Sequence, residues 1–204
     1  MPGIPVVTVI GDLVGSRSVP DRGHVQETLA AALAEVNDVV AVAQPFQPTV
    51  GDEHQGACTT VADAVRASLL VRLAMLPLVD VRHGIGHGEV TVHDDSRTPL
   101  LQDGPGWWAA RAAIEELGDR RGPSRTWFRG PGEGAVNAFL VCRDQIVDRL
   151  NDRGLRILRL ALLGHSQKDI AELEGIYASA VSQQFTRNIG ALVDSMRLFS
   201  EEAA

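Results

Sequence analysis

Asp12 and Asp52 are the residues of this 204-residue chain whose types and surroundings point most directly to chemistry. Asp12 follows Ile4 to Gly11, a run of apolar and β-branched residues suited to a strand buried on both faces. Asp52 belongs to a Gly51-Asp52 tight-turn signal between a short strand predicted at Phe46 to Val50 and its antiparallel return at His54 to Thr59. If the hairpin lies beside the first strand, two carboxylates converge at one sheet edge. Unscreened, they repel, and a hard divalent cation, Mg2+ or Mn2+, is their natural guest. The alternative is structural, with Asp12 capping a turn and Asp52 serving its own Gly-Asp turn. Glu53 is a third candidate ligand, although strand alternation points it to the other face. Gly15-Ser16-Arg17, leading out of the first strand, offers an anion backbone N–H groups, a hydroxyl and a guanidinium. The alternative there is a capped turn with a solvated Arg17.

The elements that must position these groups follow from periodicity. Val25, Leu29, Ala32, Leu33 and Val36 predict an amphipathic helix from Asp21 to about Val42. Val65, Leu69, Leu73 and Leu76 predict a second from Val61 to Leu76, closed by Pro77. Val79 to His87 reads as a strand, Gly88-Glu89 as a turn, and Val90 to His93 as another short strand. The order β-α-β-β-α-β predicts an α+β protein of ferredoxin-like or palm type, an antiparallel sheet with its helices on one face. Beyond it come a short helix at Gly106 to Leu117, a brief strand at Thr126 to Arg129, a long helix at Ala135 to Leu150 and another at Leu155 to Leu163. The division predicted is 1–132 for the sheet domain and 133–204 for an all-α domain.

Within that second part, residues 166–185 read as a helix-turn-helix. Ser166 is an N-cap with Asp169 three residues on, Ile170, Ala171 and Leu173 make one apolar face, and Gly175 supplies a left-handed end. In the helix starting near Ala178, Val181 and Phe185 turn inward. That leaves Ser179, Ser182, Gln183, Thr186 and Arg187 outward, where a recognition helix meets phosphates and base edges of DNA. The plainer alternative is a helical hairpin packed on its own domain or on a second subunit. Affinity for DNA comes mainly from Lys and Arg neutralising phosphates, and Arg153, Arg156, Arg159, Lys168, Arg187 and Arg197 face a similar number of carboxylates. Weak binding by a monomer and a need for a homodimer or an accessory partner are therefore expected.

A formal net charge of -7 argues against a nucleic-acid coat or a membrane-surface protein. The apolar start is too short for a signal sequence or a membrane span, which points to the cytoplasm. Cys58 and Cys142 lack CxxC spacing, so neither a disulfide framework nor a zinc site is expected, and both read as buried thiols. His83 and His87 would stand about 13 Å apart on one strand face, too far to share a zinc. They read as structural or surface residues, and neither His54 nor His165 has a sequence partner suggesting a triad or metal site.

Val9-Ile10-Gly11-Asp12-Leu13-Val14-Gly15-Ser16-Arg17, with Thr49-Val50-Gly51-Asp52-Glu53-His54-Gln55-Gly56 and Trp107-Trp108-Ala109-Ala110-Arg111, resembles the SatD family of bacterial proteins over almost the whole chain. More distantly, the same residues resemble the catalytic domain of class III nucleotide cyclases. That resemblance implies metal-binding aspartates at Asp12 and Asp52, and a helix in which an Asn and, four residues later, an Arg stabilise the transition state. Arg111 matches the Arg, but Trp107 stands at the Asn position and cannot make an Asn's hydrogen bonds. The implied site binds a nucleotide or other phosphate ligand without cyclising it, with Ser16, Arg17 and Arg111 near the phosphates and Trp107 stacked on a base. Equally, Trp107 or Trp108 can anchor its helix to the sheet or fill a dimer interface. The function expected is a transcriptional regulator or DNA-associated adaptor with a sensor domain, and Trp107 at the Asn position counts against an enzyme. The alternatives are a metal-dependent nucleotidyl-transfer or cyclase-like enzyme, and a non-catalytic oligomeric module with a vestigial site.

Overall fold

The apolar run at the start of the chain forms strand β1 (Ile4–Val14), which pairs antiparallel on both edges and so lies inside a sheet. The computed structural model describes residues 4–119, 122 and 124–202, without the side chains of residues 4, 17 and 119. Helix α1 (Arg22–Val39) begins at Asp21, whose carboxylate accepts the His24 N–H, and buries the Val25, Leu29, Ala32, Leu33 and Val36 stripe that periodicity predicts. Strands β2 (Val42–Pro48) and β3 (Glu53–Cys58) form a hairpin whose turn needs the left-handed Gly51, at φ 70°. Helix α2 (Val61–Met75), capped by Thr60, leads into β4 (Asp80–Asp94).

These four strands lie in the order β2-β3-β1-β4 and pair antiparallel throughout, the ferredoxin-like arrangement that the element order predicts. Strand β5 (Leu101–Asp103) extends the sheet beyond β4. Strand β6 (Thr126–Arg129) pairs parallel to β4, which makes the α+β sheet mixed.

Several details differ from the sequence reading, among them β2, which runs Val42–Pro48 where the sequence predicts Phe46 to Val50. Strand β4 is a single 15-residue strand with no turn at Gly88. Its Gly84, Gly86 and Gly88 fall on one face by alternation, and helix α3 (Pro105–Asp119) lies directly on that smooth strip. A Cβ at Gly84 would sit 2.2 Å from the Ala110 carbonyl oxygen, and one at Gly86 would sit 2.3 Å from the Ala110 nitrogen. Thus α1 and α2 share one face of the sheet as expected, while α3 covers the other. There the Thr8 hydroxyl donates to the Gly106 carbonyl at 2.8 Å.

The remaining helices are α4 (Glu133–Val147), α5 (Asp152–Leu162), α6 (Gln167–Glu174), α7 (Ala178–Gln184) and α8 (Gly190–Glu202), the last two joined by a π-helical turn at Phe185–Ile189. One apolar core runs from Val7 and Val9 in β1 through Leu69 and Leu70 in α2 to Leu192 and Met196 in α8. Buried Arg143 fastens α4 to it, donating to the Val65 carbonyl at 3.0 Å and to the Thr126 hydroxyl. The neighbouring Asp144 carboxylate accepts the Arg125 and Thr126 N–H groups at 2.7 and 2.9 Å. Cys58 is buried as expected, but Cys142 is exposed because α4 turns that side outward. Among the described residues no helix is long and apolar enough to cross a membrane.

Candidate functional site

The antiparallel register places Asp12 of β1 directly opposite Glu53 of β3 on one side and Arg82 of β4 on the other. Directly opposed residues share a face, and this one is the face that α3 covers. Arg82 donates to the Asp12 carboxylate. Arg111 of α3 reaches Glu53 with both guanidinium nitrogens, at 2.7 and 2.9 Å, and this fork is the first cause of a pKa raised above the usual arginine value. With Ile114, Glu115 and Gly118 these four side chains line a shallow pocket of about 290 Å3. Glu53 therefore faces Asp12, where counting from Asp52 had pointed it away. Asp52 sits in the turn, so strand alternation starts only at Glu53.

The backbones of the two predicted metal ligands do meet, since the Leu13 N–H donates to the Asp52 carbonyl at 3.3 Å. Their carboxylates are engaged separately, Asp12 by Arg82 and Asp52 by the hydroxyl of buried Ser16. Among the described residues no group of three or more His, Cys, Asp or Glu side chains is placed to hold a metal ion. A Mg2+ or Mn2+ bound by both aspartates would have to take one from a guanidinium and the other from a hydroxyl. The side chain of Arg17 lies outside the described residues.

Arg111 also borders a second, larger space. A cleft of about 400 Å3 is lined by Ile10, Gln55, Gln102, Trp107 and Trp108, with Arg111 at the junction to the ion-paired patch. Trp107 packs with Ile10, Val90, Ala110 and Ile114 in a small core beneath α3, as an anchoring tryptophan should. Its Nε1–H is buried and finds no acceptor among the described residues, and the Gln102 Oε1 is likewise buried without a donor. A buried polar group left unpaired costs roughly 1–3 kcal/mol, so two around one cleft are chemically informative. Trp108 is exposed, and its Nε1–H donates to Asp103 at 2.6 Å.

The histidines are the clearest omission of the sequence reading. His54 and His83, on strands flanking β1, are fully buried and face each other across Gly11, with their Nε2 atoms 3.2 Å apart and their rings edge to face. Burial lowers His54 to about 4, and burial, then the charge of its partner histidine, holds His83 well below 6.5. The signal was the register: Gly11 is the cross-strand partner of both, and a Cβ there would lie 2.1 Å from the His54 ring.

In the C-terminal part the capping signals are met, but of the predicted apolar face Ile170 and Ala171 are buried while Leu173 is 61% exposed. The Ser166 hydroxyl accepts the Asp169 N–H while the Asp169 carboxylate accepts the Ser166 N–H, a complete capping box, and Gly175 ends α6 at φ 63°. Val181 and Ile189 are buried, whereas Ser179, Ser182, Gln183, Thr186 and Arg187 are all exposed. Ser179, Ser182 and Gln183 stand on α7, and Thr186 and Arg187 follow in the π-helical turn.

The SatD family model matches residues 6–189. The chain belongs to the SatD family. No curated protein matches it. Among solved structures it is similar to the catalytic core of a rhodopsin-guanylyl cyclase with converted specificity in complex with ATPalphaS, with a TM-score of 0.42, 15% identity, and coverage of 56% of this chain and 73% of that one. It is also similar to the guanylyl cyclase domain of the RhoGC fusion protein from the aquatic fungus Blastocladiella emersonii, with a TM-score of 0.39, 16% identity, and coverage of 56% and 75%. In this SatD-family chain, Asp12 and Arg111 share an ion-paired patch and Trp107 lines the adjoining cleft. Ser16 and Asp52 pair at the end of β1, and the five α7-side residues form a separate exposed stripe.

Proposed function

We propose that this SatD-family chain is a ligand-responsive, DNA-associated regulator, with the cleft under α3 as its input and the α6–α7 pair as its output. The observation that carries the output is the stripe of Ser179, Ser182, Gln183, Thr186 and Arg187, all exposed and all capable of hydrogen bonding, on a helix whose Val181 and Ile189 are buried. Such side chains suit phosphates and base edges. They follow a helix capped at both ends, which fixes the angle at which the stripe is presented. The acidic chain can make few phosphate contacts, so each copy binds weakly, and two copies spaced to match half-sites about one DNA turn apart supply usable affinity. Ligand in the cleft reaches the output through α3, the sheet and α2, against which α5 and α8 pack.

The test is binding of the full chain to a pool of random-sequence duplex DNA at low salt, by polarisation or gel shift. Binding is expected, weakened about tenfold or more by combining Gln183→Ala with Arg187→Ala. No binding at low salt, with or without nucleosides and nucleotides added, sinks the regulator reading.

A further inference from the structure

We infer that the cleft beneath α3 binds an uncharged planar heterocycle of the nucleobase or nucleoside class, held by its hydrogen-bonding edge and without a phosphate chain. This deepens the input half of the reading above and rests on it for its regulatory consequence. Trp107 is 8% exposed and lines the cleft, and its buried Nε1–H has no acceptor among the described residues. An indole N–H only donates and cannot be flipped to suit a neighbour, so the ligand atom beside it must be an acceptor. Gln102 lines the same cleft with a buried, undonated Oε1, and its amide presents either an acceptor or a donor. A fixed donor and an amide between the apolar walls of Ile10, Pro99 and Leu100, with the exposed indole of Trp108 at the edge, match the rim and faces of a nucleobase. The cleft's volume of about 400 Å3 falls within the usual range of small-molecule sites, roughly 300–1,000 Å3.

Charge decides against phosphates. Arg111, which borders the cleft, is already held by both oxygens of Glu53, and Arg82 in the adjoining patch is held by Asp12. Glu115 adds a third carboxylate to the same patch. A phosphate chain running from the cleft towards Arg111 would break the Arg111–Glu53 fork and lie against Glu53 and Asp12. The newcomer carries the same sign as those carboxylates, and like charges a few ångströms apart repel. An uncharged ring leaves both ion pairs intact while it satisfies the indole.

The experiment is calorimetric titration of the full chain, without metal and at fixed ionic strength, with adenine, guanine, adenosine, guanosine, cytidine and uridine, then with the 5′-mono- and triphosphates. At least one base or nucleoside is expected to bind, its triphosphate at least tenfold more weakly, and added Mg2+ is not expected to reverse that order. Trp107→Phe keeps an aromatic ring and loses the donor, and should weaken nucleoside binding about threefold to tenfold, the worth of one net hydrogen bond. Gln102→Leu, on a short edge strand, provides the second variant should Trp107→Phe fail to fold. Tighter binding of a triphosphate, unchanged affinity in the folded variants, or no binding of any probe at millimolar concentration overturns the inference. The two readings fail separately: nucleoside binding without DNA binding removes the regulator and leaves the cleft's ligand, and DNA binding with an unresponsive cleft does the reverse.

Discussion

His54 and His83 show how a buried pair sets a pH dependence. They meet over Gly11, and the charged groups that bear on His83 from the covering helices are Arg143 of α4 and Arg72 of α2. Both cations disfavour a third positive charge, as burial does. Folded His54 is held to about 4 and His83 well below 6.5, whereas in the unfolded chain both titrate near 6.5. As pH falls below 6.5 the unfolded state therefore takes up protons first, and stability present above 6.5 is lost on the way to about 4. Between pH 6.5 and 5, before most carboxylates titrate, the loss for His54 is on the order of 2 kcal/mol. Urea unfolding from pH 7.5 to 5 should show a falling midpoint, flattened in His54→Gln. A midpoint independent of pH would mean that the pair titrates in the fold as it does in the unfolded chain. Neither histidine was legible as part of a pair, because a residue 29 positions away becomes a neighbour only through the register of a third strand. The same limit hid Glu53 and Arg82 as partners in the patch around Asp12.

At the level of elements, what the sequence shows well is what local physics decides. The α1 stripe, the Ser166 capping box and the left-handed Gly175 each act within one or two turns, and each stands where periodicity and capping place it. The exception is Gly88, which resembles a turn residue but lies within β4, because glycines at 84, 86 and 88 make the strip on which α3 rests. A glycine admits a turn or a close approach, and only the packing partner distinguishes them. A Cβ at position 86 would meet backbone atoms of α3 within 2.4 Å, and backbone cannot step aside by changing rotamer. Gly86→Ala should therefore destabilise the fold by about 1–3 kcal/mol or more and loosen α3, shifting Trp107 emission to the red. Gly88→Ala, with its nearest atom at 2.7 Å, should cost less. If α3 can slide along the strip, Gly86→Ala will be nearly neutral and the emission unchanged.

For the whole molecule, the question is whether a ligand under α3 can influence helices more than 60 residues further along the chain, which requires the two parts to stand or fall together. Packing supplies the connection. Arg66 of α2 donates to the Leu162 carbonyl of α5 at 2.9 Å, Arg159 of α5 pairs with Glu35 of α1 at 2.6 Å, and Phe139 of α4 stacks on Phe199 of α8. Met196 of α8, 5% exposed, lies in the same core as Val9 of β1. The three tryptophans, Trp107, Trp108 and Trp127, all belong to the sheet side, so their fluorescence reports on that side alone, while far-UV circular dichroism is dominated by helices throughout. Met196→Ala removes buried apolar volume at the far end of the core and should cost about 2–5 kcal/mol. If residues 1–132 and 133–204 unfold as one unit, the fluorescence and dichroism midpoints coincide in the wild type and fall together in Met196→Ala. If the fluorescence transition stays put while dichroism loses an early phase, the C-terminal helices unfold alone. Binding energy at the cleft would then have no mechanical route to α7, because an element that melts independently does not transmit strain from the other side of the sheet. Coincident transitions would make the core itself the connection between cleft and stripe.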